Sequence, residues 1–239
     1  MSNGIVAITG GAGALGSALA THLVKEGHHV ALFDMDRAKA RAEELVAKLG
    51  GDKAMSFAGD FGEASTWSDA LAAVEKSFGG RPTGAALIAG GWDGGGPLHA
   101  AKDDSAYEKM IATNLDTAYR ALRALLPSMV EKKHGSIVVV GSRAVERPYT
   151  SAGSAAYAAS KAAVVTLAQA VAQEVKDDGV RINAILPSTM DTPANRAAMP
   201  NADTSTWVSL ESAAGVIAFL LSDAARDVTG AAVPVYGRV

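Results

Sequence analysis

Short apolar segments alternate with longer amphipathic segments along the whole chain. The segments of strand length are GIVAITG, HHVALFD, KAMSFAGD, GAALIAGG, GSIVVVGS, VRINAILP and AAVPVYG. Between them lie stretches such as SALATHLVKEG and DALAAVEKSFGG, in which apolar residues recur at i, i+3 and i+4, as on one face of a helix. Several strand candidates are apolar throughout, which is typical of parallel strands covered by helices on both faces. The pattern predicts an α/β fold with a doubly wound parallel sheet of about seven strands.

Length and composition narrow the class of protein. The chain has 239 residues, of which 49% are hydrophobic, enough for one domain with a substantial core. It contains no linker, repeat or low-complexity segment, so we predict a single domain over residues 1–239. A net charge of −3 without a basic run argues against nucleic acid as a partner. The lack of cysteine excludes disulfides, thiol nucleophiles and cysteine metal sites, and we predict no bound metal.

The N-terminal segment, MSNGIVAITG, enters the first strand candidate almost directly. It lacks the charged region followed by a long apolar region that marks a signal peptide. The apolar runs are shorter than the roughly 20 residues that span a bilayer. We therefore expect a cytoplasmic protein that does not associate with membranes.

A glycine-rich turn joins the first strand candidate to the first helical segment. Gly11, Gly13 and Gly16 fit the pattern G-x-G-x-x-G, and Gly10, Gly13 and Gly16 recur at a spacing of three. Such glycines allow a tight turn and a close approach of the backbone to a pyrophosphate, which the free N–H groups of the helix N-terminus bind. On its own the motif is also compatible with a flexible loop.

Two aspartates follow the next two strand candidates. Asp34 lies eighteen positions after Gly16, about where a carboxylate holds the 2′-hydroxyl of a nucleotide ribose. A carboxylate there would repel a 2′-phosphate and so favours NAD over NADP, although the nearby Arg37 could accept that phosphate. Asp60 follows the third strand candidate, within reach of an adenine amine. Each aspartate could instead serve only as a cap or turn former.

A phenol and an amine lie four positions apart in the segment YAASK. On a helix Tyr157 and Lys161 share one face, and a nearby ammonium would lower the tyrosine pKa from about 10 towards neutrality, where the phenol can act as an acid or base. Ser142 ends a strand candidate, so its hydroxyl should lie at the carboxyl edge of the sheet, where such folds bind ligands. Asn114 lies inside a helical segment. Taken singly, each residue could have a purely structural role.

The order of these motifs along nearly the whole chain resembles the short-chain dehydrogenase/reductase family, whose catalytic signature is a serine followed by Tyr-x-x-x-Lys. The resemblance implies a Rossmann fold and a nicotinamide-dependent hydride transfer. It also implies that Tyr157 exchanges a proton with the substrate oxygen and that Ser142 hydrogen-bonds that oxygen. Lys161 would hold the nicotinamide ribose and lower the tyrosine pKa, and Asn114 would anchor a water molecule in the proton relay.

The resemblance also implies a set of cofactor contacts along the carboxyl edge of the sheet. We expect NAD, and less readily NADP, to contact these residues: Gly10, Gly13, Ala14, Leu15, Gly16, Asp34, Asp60, Phe61, Ala89, Gly90, Gly91, Tyr157, Lys161, Pro187 and Thr189. Thr192 is a further candidate for a hydrogen bond to the nicotinamide amide or the phosphates.

The chain departs from the family pattern at three places. Ala14 stands where the cofactor turn usually has glycine, and Leu87–Gly90 replaces the usual Asn-Asn-Ala-Gly. The interval between Ser142 and Tyr157 is longer than usual, which leaves Ser154 as an alternative to Ser142.

Two segments, GGAGALGS and AGGWDGG, look like the corresponding parts of the dihydropteridine reductases, a divergent branch that reduces quinonoid dihydropterins with NADH. In that branch a tryptophan lies close to the cofactor and substrate, and the role would fall on Trp92. That branch lacks the serine, which this chain keeps, so the likeness is local. The segment Trp92–Gly96 could equally be a surface loop.

The substrate side is less well defined by the sequence. Residues 188–207 lack clear periodicity and are interpreted as a substrate loop, with room for one short helix. The loop is short, so the pocket is either open or completed by a neighbouring subunit. Candidate substrate contacts are Trp92, Arg143, Arg147, Tyr149 and Met190.

These observations leave three functional hypotheses. The leading one is an NAD-dependent oxidoreductase that acts on a small-molecule secondary alcohol or ketone. The second is a quinonoid dihydropteridine reductase, and the third is a protein that binds NAD as a sensor or scaffold without turnover.

The helical segments 111–133 and 154–178 carry more apolar and small residues than one buried face needs. In the resembling family these helices pair with their copies, so we expect a homodimer or homotetramer.

Overall fold

The computed structural model describes residues 4–94 and 96–239. Residues 1–3, on which the interpretation of the N-terminal segment partly rests, lie outside the described residues. Gly95, in the loop after Trp92, does so too.

The described residues form one seven-stranded sheet, in which every pair of neighbouring strands is parallel. The strand order is β3-β2-β1-β4-β5-β6-β7. The fold class predicted from the apolar runs is confirmed, because each run contains one strand. The strands are β1 Ile5–Thr9, β2 His29–Asp34, β3 Ala54–Ala58, β4 Gly84–Leu87, β5 Gly135–Val140, β6 Val180–Pro187 and β7 Ala232–Val235.

Helices cover both faces of this sheet. They are α1 Ala14–Lys25, α2 Lys39–Leu49, α3 Ala64–Phe78, α4 Ser105–Met110, α5 Thr117–Glu131, α6 Ala155–Val175, α7 Pro193–Ala198 and α8 Leu210–Leu221. One core layer packs the side chains of α3, α5 and α6 against one face of the sheet, and the other packs those of α1 and α8 against the opposite face. A π-helical turn, Ile111–Asp116, joins α4 to α5.

The chain crosses from one half of the sheet to the other between β3 and β4. Because β1 pairs with β2 on one side and with β4 on the other, the connections leaving β1 and β4 diverge at the carboxyl edge. A crevice forms at this edge in doubly wound sheets, and ligands bind there. The glycine-rich turn after β1 and the loop after β4 both lie at this crevice.

The amino edge of the sheet is held by two polar side chains of β6. The Arg181 guanidinium donates to the carbonyls of Leu220 and Ser222 at the end of α8, at 2.8 and 3.0 Å, and also to those of Leu221 and Val228. The buried Asn183 amide bonds Val228 and Ala231. These contacts satisfy carbonyl groups that a helix C-terminus leaves without partners.

The longest helix corrects the expectation that every apolar run is too short to cross a membrane. The helical run Ala155–Asp178 has 24 residues and a mean hydropathy of 1.2, so it could cross a membrane by length and composition. Core helices of water-soluble domains satisfy the same criteria. Here the run includes α6, which packs against β5 and β6 and carries the buried Lys161.

Candidate active site

A serine and a tyrosine meet at the carboxyl edge of the sheet. Ser142 follows β5 by two residues, and Tyr157 lies in the first turn of α6. Ser142 is buried and Tyr157 half-buried, and the Ser142 hydroxyl is close enough to the phenol to favour its ionised form. Ser154, the alternative to Ser142, instead directs its hydroxyl to the carbonyl of Ser151 at 3.1 Å. Of the two serines that the sequence offered as partners of Tyr157, Ser142 is therefore the one that lies beside it.

Lys161 lies one helical turn after Tyr157 and is buried. Its Nζ donates to the carbonyl of Val140, the last residue of β5, at 2.8 Å. Burial lowers the pKa of Lys161 to about 8, because a charged ammonium is poorly solvated there. A Cβ added to Gly90 would lie 3.1 Å from this Nζ and 2.7 Å from Asn114 Oδ1. Only a glycine lets the loop after β4 pass so close to both side chains.

The acidity of Tyr157 differs from the expectation. Burial raises its pKa above the usual value, and the hydrogen bond from Ser142 offsets only part of that effect. The predicted lowering by Lys161 is therefore wrong for this structure. The physical reason is that the Lys161 ammonium is directed at a backbone carbonyl of β5, whereas removal of the phenol from water dominates.

The Asn114 side chain ties three segments together. Its Oδ1 accepts from Gly91 N at 2.9 Å, and its Nδ2 donates to Gly91 O at 3.2 Å and to Ser160 Oγ at 3.0 Å. Ser160, which is fully buried, donates in turn to the carbonyl of Tyr157 at 2.8 Å. Sequence reasoning missed Ser160, although a polar residue next to Lys161 among alanines was a signal. The asparagine lies in the π-helical turn, a feature frequent at functional sites.

The glycine-rich turn is built from backbone. Gly10 has a φ of +66°, which strongly favours glycine. Gly13 caps α1 without a side-chain hydrogen bond, so the N–H groups of the first turn are available to an anion. A Cβ on Gly16 would collide with the carbonyl of Gly10 and would lie 2.8 Å from Gly11 Cα. Ala14 is the first residue of α1, a position that suits alanine.

Leu15, in the first turn of α1, is positioned by the core. The side chain of Leu15 is buried in the layer between α1 and the sheet, so it can offer only its backbone to a cofactor.

Asp34 holds the glycine-rich turn to the end of β2. Its Oδ2 accepts from Ala12 N at 3.0 Å and its Oδ1 from Met35 N at 2.9 Å. A carboxylate offers about four acceptor positions, so further donors can still bind. Arg37, the residue that could favour a 2′-phosphate, is exposed in the short 3-10 turn after β2.

Asp60 and Phe61 follow β3. Asp60 is exposed, and its Oδ1 accepts from Gly62 N at 2.8 Å in a local turn. The Phe61 ring packs against the rings of Phe33 and Trp67, with centroids 5.3 and 4.8 Å apart. The Asp60 turn is thus anchored to the core by an aromatic cluster.

The loop after β4 begins with Ala89, Gly90 and Gly91. Ala89 N donates to Thr9 Oγ1 at 3.1 Å, which fixes the loop to the end of β1. Trp92 is 62% exposed. Further along, Gly96 N bonds the carbonyl of Gly153 at 3.3 Å, so this loop lies beside the segment that leads into α6.

The predicted substrate loop, residues 188–207, contains α7 and a 3-10 turn at Thr204–Thr206. It follows Pro187, the last residue of β6. Thr189 O accepts from Val208 N at 2.9 Å, and Met190 forms a bridge to the same Val208. Thr192 caps α7 by accepting from Asn195 N at 3.1 Å, so its hydroxyl is already engaged.

Arg143 and Tyr149 lie in the segment after Ser142. Arg143 begins a 3-10 turn and is half-buried, whereas Tyr149 is 78% exposed. Tyr236, near the C-terminus, lies beside this segment: its hydroxyl donates to Glu146 at 2.6 Å, and the Arg147 guanidinium lies 5.2 Å from its ring centroid. Sequence reasoning missed Tyr236, because about ninety positions separate it from its partners.

Comparison with known proteins shows that the chain is similar to dehydrogenases of one family. A family model described as short chain dehydrogenase matches residues 4–203. The chain is 34% identical to 2-(S)-hydroxypropyl-CoM dehydrogenase 3 of Xanthobacter autotrophicus, over 99% of this chain and 96% of that protein. It is 32% identical to 2,5-dichloro-2,5-cyclohexadiene-1,4-diol dehydrogenase LinX of Sphingobium indicum, over 98% of this chain and 94% of that protein.

A solved structure also matches. The 3-ketoacyl-(acyl-carrier-protein) reductase of Brucella melitensis, complexed with NADH, superposes with a TM-score of 0.86 at 26% identity. The match covers 98% of this chain and 96% of that one.

Proposed function

The chain belongs to the short-chain dehydrogenase family, and we propose that it transfers hydride between NAD and a secondary alcohol or ketone, with Tyr157 as the acid or base. The relatives are named dehydrogenases of hydroxyl-bearing compounds, so an oxidoreductase acting on CH–OH groups is the coarse assignment. The observation that carries the finer proposal is the proximity of the buried Ser142 hydroxyl to Tyr157, which lies one helical turn from the buried Lys161.

The residues present fit a nicotinamide dinucleotide. The first turn of α1 offers N–H groups without a side-chain cap, and Gly13 is exposed beside them, so a pyrophosphate can approach. Asp34 lies at the end of β2 with acceptor positions to spare for a ribose diol. This carboxylate would repel a 2′-phosphate, and the proposal is therefore NAD in preference to NADP.

Each catalytic side chain has a separate task in the proposal. The bound nicotinamide supplies or accepts the hydride. Tyr157 gives its proton to the substrate oxygen or takes it back, and Ser142 donates a hydrogen bond to the same oxygen. The Tyr157 phenol is neutral in this structure because burial disfavours the phenolate, which suits a proton donor for carbonyl reduction.

Lys161 and Asn114 support that pair. The Lys161 ammonium reaches the carboxyl edge between β5 and Gly90, where it can hydrogen-bond a ribose hydroxyl. The Asn114 amide is occupied by Gly91 and Ser160, so any water in a proton relay would be held by the backbone of its π-helical turn instead.

The substrate would lie between three segments around this centre. These are the loop carrying Trp92, the segment carrying Arg143 and Tyr149, and the loop of residues 188–207. Exposed Tyr119 on α5 and the apolar outer face of α6 further support a homodimer or homotetramer, in which these helices pair with their copies.

The test is NADH oxidation with a broad panel of ketones and aldehydes, followed by Ser142→Ala on the best substrate. Turnover that Ser142→Ala lowers by about tenfold or more supports the proposal. Activity on quinonoid dihydropterin that survives Ser142→Ala would indicate the dihydropteridine reductase type. NADH binding without turnover of any compound in the panel would leave a non-catalytic cofactor-binding protein.

A further inference from the structure

The residue that follows Ser142 is Arg143, whose cationic side chain has no partner among residues 4–94 and 96–239. Ser142 lies close to Tyr157, and its Oγ accepts from Ala144 N at 3.2 Å, so it caps the short turn in which Arg143 is the first residue. Adjacent Cα atoms are about 3.8 Å apart, so the backbone of Arg143 lies next to that of Ser142. Arg143 is half-buried, and its guanidinium forms no hydrogen bond or ion pair with any other residue that the structure describes.

The carboxylate closest along the chain does not neutralise Arg143. Glu146 Oε2 instead accepts from the Tyr236 hydroxyl at 2.6 Å, and no described cation lies within ion-pair distance of Glu146. Burial and this carboxylate raise the pKa of Tyr236 to about 12, so the phenol remains a neutral donor to Glu146 near neutral pH. Tyr236 therefore binds one carboxylate oxygen of Glu146.

Arg147 makes the cluster more cationic. Its guanidinium lies over the Tyr236 ring at 5.2 Å, a cation–π arrangement that leaves its donors free. Arg143 and Arg147 are both close enough to act on the charge of Tyr236. With Glu146 counted, this cluster carries a net charge of +1.

Two carboxylates in the other two segments around the site are already paired with cations. Asp93, next to Trp92, bonds Lys109 Nζ at 2.7 Å. Asp191, two residues after Thr189, forms a two-pronged ion pair with Arg196. Neither is free to neutralise Arg143.

We propose that the Arg143 guanidinium binds an oxyanion of the substrate, so that this enzyme acts on secondary alcohols or ketones that also carry a carboxylate, sulfonate or phosphate group. The proposal rests on the hydride transfer proposed above. A guanidinium presents parallel N–H donors that match the two oxygens of such groups. Binding there would fix the substrate through a second point, with its reacting oxygen at Ser142 and Tyr157.

The test compares ketones that differ only in charge. Acetoacetate is paired with acetoacetamide, levulinate with levulinamide, and 3-acetylbenzoate with 3-acetylbenzamide, and acetonyl sulfonate and hydroxyacetone phosphate extend the series to tetrahedral oxyanions. We expect kcat/KM to favour the anion of at least one pair by about 10- to 100-fold, the usual range for a charged hydrogen bond. The tetrahedral compounds show which oxyanion is preferred.

Three variants test whether Arg143 causes the preference for the anion. Arg143→Met should abolish the preference for the anion, measured as the ratio of kcat/KM for the anion to kcat/KM for the amide, and Arg143→Lys should restore part of that ratio. The matched control is Arg226→Met, an exposed arginine beyond the end of α8, which should keep the full preference. The affinity for NADH should be the same in all three variants.

A binding measurement separates this proposal from the one on which it rests. Fluorescence titration of the NADH complex with each anion and each amide requires no turnover. If no compound is reduced, but an anion binds the parent and not Arg143→Met, the proposed reaction fails and the oxyanion site stands. If ketones are reduced but neither kcat/KM nor affinity distinguishes the anion from the amide in any pair, the oxyanion site is overturned. A preference that survives Arg143→Met, or a loss of NADH affinity in that variant, would overturn it as well.

Discussion

The half of the sheet formed by β1 to β3 and the half formed by β4 to β6 contribute to the site in different ways. The first half contributes mainly backbone. Gly10 adopts a left-handed conformation, and the backbone at Gly16 passes close to that of Gly10 and Gly11. One carboxylate, that of Asp34, accepts from the N–H of Ala12 in the turn. The second half uses buried side chains that hold one another, including Asn114 and Lys161. This difference predicts that substitutions in the first half act on cofactor affinity, whereas those in the second act on the reaction and on stability.

The largest effect should come from Tyr157→Phe. The ring keeps its packing, but the substrate oxygen loses its proton donor, so kcat should fall by about 10²- to 10⁴-fold, the usual worth of general acid catalysis. NADH affinity, measured by fluorescence titration, should change little. The matched control is Tyr107→Phe, an exposed tyrosine on α4, with a parent-like kcat. Near-normal turnover in Tyr157→Phe would show that this phenol is not the acid.

The next effect concerns the first half. Asp34→Ala should weaken NADH binding by about 10- to 100-fold, because charged hydrogen bonds to the ribose are lost, and should narrow the difference between NADH and NADPH. Dissociation constants for both reduced cofactors measure this, with Asp36→Ala, an exposed neighbour, as the control. Tighter binding of NADPH by the parent would contradict the NAD assignment and direct attention to Arg37.

The pH dependence of stability tests whether the side chains in the second half of the sheet are buried. The pKa of Lys161 is about 8 in the folded protein and about 10.4 in an unfolded chain, so above pH 8 the unfolded chain binds more protons at this residue. The contribution of Lys161 to stability is therefore fully present above pH 10.4 and is lost as the pH falls through 8. Between about pH 8 and 9.5 the unfolding free energy of the parent should rise by about 2 kcal/mol relative to Lys161→Met.

Urea unfolding of both proteins across that range checks this prediction. Tyr157 is neutral in both states below about pH 10, because burial raises its folded pKa, so it does not contribute. A constant difference between parent and variant would show that Lys161 is solvated in the folded protein.

The smallest effect should come from Ser160→Ala. Asn114 Nδ2 loses one acceptor but keeps Gly91 O, so the unfolding free energy should fall by about 1 kcal/mol, the low end for a buried donor that loses a partner. Ser68→Ala, an exposed serine on α3 that bonds only a carbonyl of its own helix, is the control. An equal loss in both variants would show that Ser160 adds nothing beyond helix propensity.

The fold followed from the sequence because several strands are nearly continuous apolar runs, which are typical of parallel strands covered by helices on both faces. The start of a helix after a glycine-rich turn and the end of a strand near an aspartate are local features, because neighbouring residues determine them. The helical segment 154–178 was recognised, but its length and apolar composition exceed what the expectation about membrane spans allowed.

The site was less predictable where distant contacts decide it. The π-helical turn at Asn114, the link through Ser160 and the contact of Tyr236 with Glu146 each depend on elements far apart in the chain. The direction of the Tyr157 pKa was wrong for a related reason. The spacing within YAASK shows that Lys161 shares a helix face with the phenol, but it shows neither the depth of burial nor the carbonyl of Val140 that takes the ammonium.

Arg181 and Asn183 have a consequence for motion. Together they fasten the end of α8 and the segment that follows it to the start of β6, at the edge of the sheet opposite the crevice. Amide hydrogens there should exchange with solvent only when the whole domain opens, whereas the loops after β4 and β6 can open locally. The loops after β4 and β6 can therefore move towards a bound ligand while the sheet and the helices packed on it keep their arrangement.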